Sequence, residues 1–181
     1  RVIQRKGNNS LNGMEAVYTS YNFEGSPVKE KRIHSVPGQD IITEVRNHTY
    51  DLANRLLQTT YQLNDDAPVI LVDNVYDEIG RLKTEKRTGH SKLRTDYTYN
   101  LRSWTKGING PLFHQTLTYQ ESIDGTTPCY NGNISSMTWK SGGSAATNEM
   151  GYRFTYDGLS RMKDAIYGET NTLSINQNRF S

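Results

Sequence analysis

Three aspartates recur at one place in a short repeated pattern, and they are the first residues to consider for chemistry. Asp51, Asp77 and Asp157 each follow a tyrosine directly and each precede an arginine by four residues. A row of carboxylates suggests catalysis. An aspartate at the start of a tight turn, however, accepts hydrogen bonds from the backbone N–H groups that follow it. Because that role accounts for their fixed position, we interpret all three as turn caps.

The other residue types that support catalysis or metal binding are isolated in the sequence. The four histidines have no pair at metal-ligand spacing: His34, His48, His90 and His114. Cys129 is the only cysteine, so it forms no internal disulfide, and we expect a buried small residue. The sequence also contains no nucleophile elbow, phosphate-binding glycine loop or calcium loop. It therefore predicts no enzyme, no cofactor and no metal site.

The elements that position the aspartates are β-hairpins, and the clearest spans Val69 to Arg87. Val69–Tyr76 is apolar and β-branched, which is typical of a strand. The next four residues form a turn that ends on Gly80, where a glycine tolerates a positive φ. Arg81–Arg87 then predicts the returning strand.

The same unit recurs along the chain. Three close copies align as Tyr50, Asp51, Asn54, Arg55, as Tyr76, Asp77, Gly80, Arg81, and as Tyr156, Asp157, Ser160, Arg161. Looser copies begin at Tyr21, Tyr99 and Tyr130, and the tyrosines are 23 to 31 residues apart. This period indicates a repeat architecture. We expect Tyr50, Tyr76 and Tyr156 to pack at equivalent inner positions. We expect the change Asn54→Gly to be neutral or mildly stabilising.

The motif at Tyr76–Leu82, Tyr-Asp-x-x-Gly-Arg-Leu, resembles the signature of the tyrosine–aspartate (YD) repeats. These repeats occur in Rhs-type proteins, bacterial wall-associated proteins and animal teneurins. The phrases at 99–104, 131–140 and 152–157 resemble the Rhs proteins of Bacteroidetes. The resemblance covers roughly residues 40–167 and implies that the signature residues belong to the scaffold.

The resemblance also implies a fold and a function. The fold is all-β, with antiparallel β-hairpin repeats forming a curved open sheet, a segment of a β-spiral shell. In Rhs toxins that shell encloses a C-terminal toxic domain. The implied partners are the remainder of the same polypeptide, meaning further repeats and a C-terminal cargo domain. The implied location is extracellular or on the bacterial cell surface. Some Rhs proteins also contain a self-cleaving core with an Asp-Pro-x-Gly-type motif. This sequence contains no Asp-Pro, so the resemblance does not imply that activity here.

The composition agrees with an unusually polar sheet. The apolar fraction is 34%, the mean hydropathy is −0.77, and tyrosine, threonine and serine suit a half-buried pleated surface. The net charge is +2, and basic residues are interleaved with acidic ones, which argues against a nucleic-acid partner. No apolar run has the length of a membrane span.

We divide the chain into three parts. Residues 1–40 are a poorly defined leading repeat with two short strands, residues 41–167 carry the YD-type hairpins, and residues 168–181 are a trailing strand or tail. The sequence begins without a methionine and ends within the pattern, so we expect a piece of a longer protein. The glycine- and serine-rich stretch 141–146 predicts a flexible tip.

Aromatic residues support a second hypothesis, a binding module for a glycan or a surface protein. Sugar rings stack on exposed aromatic faces. Trp104 and Trp139 lie near predicted turns and are the candidates for exposure. Cross-strand packing of the tyrosines between repeats is the alternative that we favour.

Overall fold

The computed structural model describes residues 1–121, 126–142 and 149–169, together with the backbone of 178–180. These residues form fourteen strands and one three-residue 3₁₀ turn, Ser91–Leu93. Eleven pairs of strands that follow each other in the chain have a defined register, and all eleven are antiparallel. The predicted all-β fold of successive hairpins is therefore confirmed.

The chain divides into two compact units. The first comprises Arg1–Tyr76 and Glu85–Ser91, and the second comprises Asp77–Thr84 and Lys92–Ser181. The strands of the first unit are β1 (Gln4–Asn8), β2 (Met14–Tyr21), β3 (Pro27–Ser35), β4 (Ile42–Tyr50), β5 (Leu56–Leu63) and β6 (Val69–Tyr76). The residues of β7 (Leu82–Arg87) are divided between the two units.

The second unit continues the same pattern of hairpins. Its strands are β8 (Arg94–Tyr99), β9 (Thr105–Asn109), β10 (Phe113–Thr118), β11 (Ser136–Ser141), β12 (Met150–Tyr156), β13 (Met162–Glu169) and β14 (Asn178–Phe180). Among the described residues, no helix has the length and apolarity needed to cross a membrane.

The hairpin turns share one backbone geometry. The fourth residue after the tyrosine has a positive φ in five turns: Gly25, Asn54, Gly80, Ser103 and Ser160. The strand register also shifts immediately before four of these tyrosines: Tyr21, Tyr50, Tyr99 and Tyr156. A type I turn followed by a left-handed residue and a bulge is a standard hairpin loop. The positive φ predicted for Gly80 is confirmed.

The sheet has little core. Among the described residues the buried apolar side chains are Ala16, Tyr119 and Ile166, and most other strand residues are half-buried. This agrees with the polar composition. Large apolar side chains stand almost fully exposed at the turn tips instead: Phe23, Leu52 and Leu101.

The structure corrects two expectations about the strands. β1 was not predicted, because its sequence, Gln-Arg-Lys-Gly-Asn, has no apolar alternation. Tyr130 was expected to anchor a hairpin, but it lies outside any strand and its exposed fraction is 64%. Its backbone carbonyl instead accepts a hydrogen bond from Arg102 Nη1 at 2.6 Å.

Some expectations fall on residues outside those described. These are the loop residues 122–125, most of the predicted flexible tip (143–148), and much of the predicted tail (170–177 and 181). Within the described part, Gly168 and Glu169 end β13, and Asn178–Phe180 form β14.

Candidate functional site

The repeated aspartates cap the turns. Asp51 Oδ1 accepts hydrogen bonds from the backbone N–H groups of Ala53 and Arg55, both at 2.9 Å. Asp77 and Asp157 repeat this pattern with the residues two and four positions ahead. Asn22 and Asn100 occupy the same place in other turns, and their side-chain oxygens also accept two backbone hydrogen bonds. A neutral amide thus suffices for the cap.

The second oxygen of each aspartate holds the arginine of its own turn. The Nε atoms of Arg55, Arg81 and Arg161 lie 2.6, 2.7 and 2.7 Å from Asp51, Asp77 and Asp157 Oδ2. The backbone hydrogen bond from Arg55 is the largest cause that keeps the pKa of Asp51 below its usual value. Arg161 acts similarly on the pKa of Asp157. Burial raises the pKa of Asp77, but the hydrogen bonds from Arg81 outweigh it. All three aspartates are thereby kept as carboxylates.

Each hairpin tyrosine contacts the strand that precedes it, an arrangement that we call a tyrosine rung. Its hydroxyl donates to a backbone carbonyl at or just before the start of that strand. In four rungs, those of Tyr21, Tyr76, Tyr99 and Tyr119, the ring also lies against the side chain of the residue before that carbonyl. In the first unit, the hydroxyls of Tyr21, Tyr50 and Tyr76 donate to the carbonyls of Val2, Pro27 and Leu56, at 3.0, 2.8 and 3.0 Å.

The second unit repeats the rung three times. The hydroxyls of Tyr99, Tyr119 and Tyr156 donate to the carbonyls of Leu82, Thr105 and Ile134, each at 2.8 Å. Burial raises the pKa of all three phenols, so each keeps its proton and acts as a donor. The expected equivalence of Tyr50, Tyr76 and Tyr156 is confirmed, although their rings are half-buried and not fully inside.

The arginines connect the turn caps to the rungs. The guanidinium carbon of Arg55 lies 4.7 Å from the ring centroid of Tyr76, and that of Arg81 lies 4.6 Å from the centroid of Tyr99. A guanidinium over an aromatic face is attracted by the ring quadrupole. Asp51 and Asp77 therefore orient an arginine toward the tyrosine of the next hairpin. This explains why tyrosine, aspartate and arginine recur together.

Sequence reasoning missed the rung at Tyr119. This residue follows β10 and is almost fully buried. The residue directly after it is Gln120, and not an aspartate or asparagine. Trp104 takes the place of the arginine, with its ring centroid 5.1 Å from that of Tyr119. The strand register would have revealed this rung. Extending the antiparallel pairing of Thr116 with Gly107 by three residues places Tyr119 across from Trp104.

Neighbouring turns also contact each other within each unit. In the first, Asn54 Nδ2 donates to Ser26 Oγ at 2.9 Å and Asn54 Oδ1 accepts from Asn22 Nδ2 at 3.0 Å. In the second, Arg81 donates to the carbonyl of Asn100, and Asn131 donates to Ser160 Oγ. Because the Asn54 amide joins two turns, we now expect Asn54→Gly to lose these two hydrogen bonds and to lower stability.

The aromatic candidates are placed differently from each other. Trp104 is half-buried in its rung, where it also lies under Arg102. Trp139 lies on the face of β11, and its ring stacks on Tyr152 at a centroid distance of 5.7 Å. Tyr152 in turn contacts Phe154 and Tyr167. Neither tryptophan stands free in solvent, and the cross-strand packing of aromatic rings is the arrangement observed.

One sheet face of the first unit is charged. Arg32 joins Glu15 at 3.1 Å and approaches Glu44 at 4.0 Å, so the pairs run across β2, β3 and β4. A depression of about 460 Å³ opens on this face. His34 hydrogen-bonds to Glu15, and this bond, followed by that from Arg32, holds the pKa of Glu15 below its usual value. Arg32 thus forms ion pairs with two carboxylates of this face, those of Glu15 and Glu44.

The remaining candidates are dispersed. Cys129 is half-buried and not fully buried as expected, and burial raises the pKa of its thiol. It lines a cavity of about 240 Å³ with Phe154 and Tyr156. The described residues contain no group of three or more potential ligands that could hold a metal ion.

Comparisons with known proteins find similar solved structures but no family. No family model matches the chain, and no curated protein matches it. Among solved structures, the chain is similar to one entitled "Crystal Structure of TcdB2-TccC3-Cdc42", with 13% sequence identity and a TM-score of 0.38. The match covers 99% of this chain but only 13% of the length of that one.

Proposed function

We propose that this chain is a non-catalytic structural segment of a YD-repeat shell. The shell is exported or displayed at a cell surface, and it encapsulates or displays another domain of the same polypeptide. The observation that carries the proposal is the tyrosine rung. It attaches each hairpin to the preceding one and uses the tyrosine, aspartate and arginine of the repeated motif for that purpose.

The scarcity of buried apolar side chains among the described residues supports the same proposal. A hairpin with both faces half-buried gains stability mainly from its neighbours. The edge strand β1 has β2 as its strand neighbour among the described residues, and all five of its residues are exposed. Unpaired strand edges bind other strands. A wall segment of a larger sheet has this property.

The test is self-association of the isolated chain. Sedimentation equilibrium should show an average mass that rises with protein concentration, because the exposed edges pair. A strictly monomeric chain at all concentrations would overturn the proposal.

An edge-blocked variant makes this test specific. The carbonyl of Ile3 accepts a hydrogen bond from Thr19 N–H. Because the backbone groups of an antiparallel strand alternate in direction, the N–H of Arg5 points inward, toward β2, and that of Lys6 points outward, toward the open edge. Lys6→Pro removes that outward donor without removing an inward bond, and it should reduce association. Arg5→Pro is the control, since it removes an inward bond and should lower stability instead.

A second candidate function is a binding surface for a glycan or a surface protein. It is favoured by the cluster of Trp139, Tyr152 and Tyr167 on one sheet face of the second unit. A glycan array tests it directly. Saturable binding that is lost in Trp139→Ala but kept in Trp104→Phe would favour this function over the structural one. The absence of any binding would leave the structural proposal alone.

A further inference from the structure

We propose that Asn131 is a site of spontaneous deamidation, at which water converts the asparagine to aspartate or isoaspartate. The reacting groups are the side-chain amide of Asn131 and the backbone nitrogen of Gly132, both in the second unit. This modification is independent of the proposed shell function, because it concerns the chemistry of a single turn.

The reaction proceeds through a cyclic imide. The backbone nitrogen of Gly132 loses its proton to hydroxide and forms a bond to Asn131 Cγ. The bond from Cγ to Nδ2 then breaks, and Nδ2 takes up a proton from water and leaves as ammonia. Water adds to either imide carbonyl and opens the ring, which gives aspartate in one case and isoaspartate in the other. Overall, water is consumed, ammonia is released, and nothing is oxidised or reduced.

The hydrogen bonds of the glycine distinguish this site from the others of its kind. Gly13 N–H donates to Asn9 Oδ1, and Gly110 N–H donates to the carbonyl of Phe113, both at 2.8 Å. Among the described residues, no acceptor is found for the N–H of Gly132. Glycine favours the reaction, since no side chain shields the attacking nitrogen. The sequence contains three such pairs: Asn12-Gly13, Asn109-Gly110 and Asn131-Gly132.

The hydrogen bond decides which nitrogen can react. An N–H that donates keeps its proton and stays directed at its acceptor, so that bond must break before the nitrogen attacks. Asn109 is restrained further, because it ends β9 and lies across from Asp96 on one side and His114 on the other. Asn12 and Asn131 are both exposed, so the hydrogen bond, and not burial, separates these two.

The Asn131 side chain is folded over the peptide that attacks it. Its Oδ1 accepts a hydrogen bond from Asn133 N–H at 3.1 Å, and this closes a ring that contains the nitrogen of Gly132. The same bond draws electron density from Cγ and makes that carbon more electrophilic. Asn100 makes the equivalent contact, but Leu101 follows it and its side chain shields the nitrogen.

Deamidation changes a contact between two turns. Asn131 Nδ2 donates to Ser160 Oγ at 2.9 Å, and this donor leaves as ammonia. An aspartate at 131 accepts from the Ser160 hydroxyl instead, since a hydroxyl can donate and a carboxylate only accepts. Isoaspartate adds a methylene group to the main chain, three residues before the Ile134 carbonyl that accepts from Tyr156. We therefore expect isoaspartate, and not aspartate, to weaken the rung of Tyr156.

The experiment incubates the purified chain at mildly alkaline pH and measures deamidation at each asparagine by peptide mass spectrometry. In the folded chain, Asn131 should react at least about tenfold faster than Asn12 or Asn109, because each of those sites must first break a hydrogen bond. In urea, where these hydrogen bonds are lost, the three rates should become similar. Equal rates in the folded chain, or a faster reaction at Asn12 or Asn109, would overturn the inference.

Two variants test the cause of the reactivity, with folding checked by circular dichroism. Asn9→Ala removes the acceptor of Gly13 N–H, so Asn12 should react faster while the rate at Asn131 stays unchanged. Asn131→Gln keeps the amide but requires a larger ring, so the reaction at this position should stop. An unchanged rate at Asn12 would overturn the inference, since the missing acceptor at Gly132 would then not explain the reactivity of Asn131.

Discussion

The two units differ on their sheet faces but agree at their strand ends. The first unit has a face of paired charges, centred on Arg32 between Glu15 and Glu44, whereas the second has a cluster of aromatic rings around Tyr152. Both units carry three tyrosine rungs. The contacts between successive hairpins are therefore constant, while the faces vary in chemistry.

This contrast has a physical cause. A rung combines a ring, a hydroxyl bonded to one carbonyl, and a residue held by the preceding turn, so few side chains can replace its members. A side chain on the face of a thin sheet needs only a compatible neighbour across the strand. An ion pair and a ring pair both meet that requirement. We expect mutations at the rungs to have similar effects in both units, and mutations on the faces to differ.

The largest effect is expected for the rung tyrosines. Tyr76→Ala in the first unit and Tyr156→Ala in the second should each lower the free energy of unfolding by about 3 kcal/mol. The cause is the loss of a large ring and its hydrogen bond. Urea unfolding measures both. Losses that agree within about 1 kcal/mol would support the same type of rung in both units. A negligible loss for either residue would show that its rung does not stabilise its unit.

The turn backbone should give the next largest effect. Gly80 has φ 90°, so Gly80→Val should lower the free energy of unfolding by about 2 kcal/mol through backbone strain. Gly158 is the matched control, since no heavy atom lies within 4 Å of its added Cβ and it has no positive φ. Gly158→Ala should be neutral or slightly stabilising. Equal melting temperatures for the two variants would refute the turn assignment.

The arginines should separate the contact with a rung tyrosine from the ion pair within a turn. Arg55→Ala should cost about 1 kcal/mol, because it removes both the contact with Tyr76 and the ion pair with Asp51. Arg161→Ala removes the ion pair alone and should cost about half as much. Chemical denaturation of the two variants measures the difference. A larger loss at Arg161 than at Arg55 would contradict a stabilising contact between Arg55 and Tyr76.

The smallest effect concerns acid stability. The pKa values of Asp51, Asp157 and Glu15 are lowered in the folded state. Their contribution is therefore present above the unfolded values, about 4, and is lost as the pH falls through the folded values. The melting temperature should decline below about pH 4. Asp51→Asn keeps a side-chain oxygen for the cap, as Asn22 does, but removes the carboxylate charge, so it should make this decline shallower. An unchanged dependence of the melting temperature on pH would count against a stabilising role for the Asp51 charge.

The sequence predicted the hairpins well because their signals are local. Asp77 before Gly80 and the apolar strand Val69–Tyr76 encode a turn and a strand within a few residues. The positive φ at Asn54 followed from the same alignment. The caps follow equally from a carboxylate at the start of a turn.

The rungs were less predictable because they depend on contacts between hairpins. Tyr130 resembles an anchor in sequence, but it lies outside any strand, and Tyr119 forms the rung with Trp104. The role of Asn54 in joining two turns was hidden for the same reason. A short motif encodes its own turn, but it does not encode which strand lies beside it.

The most direct test of the account is a double-mutant cycle between Arg55 and Tyr76. Unfolding free energies are measured for the original chain, Arg55→Ala, Tyr76→Leu and the double variant, and the same cycle is made with Arg81 and Tyr99 in the second unit. If the arginine of one hairpin holds the tyrosine of the next, each cycle should give a favourable coupling of about 1 kcal/mol. Additive losses, with no coupling in either cycle, would contradict the claim that the rung joins successive hairpins.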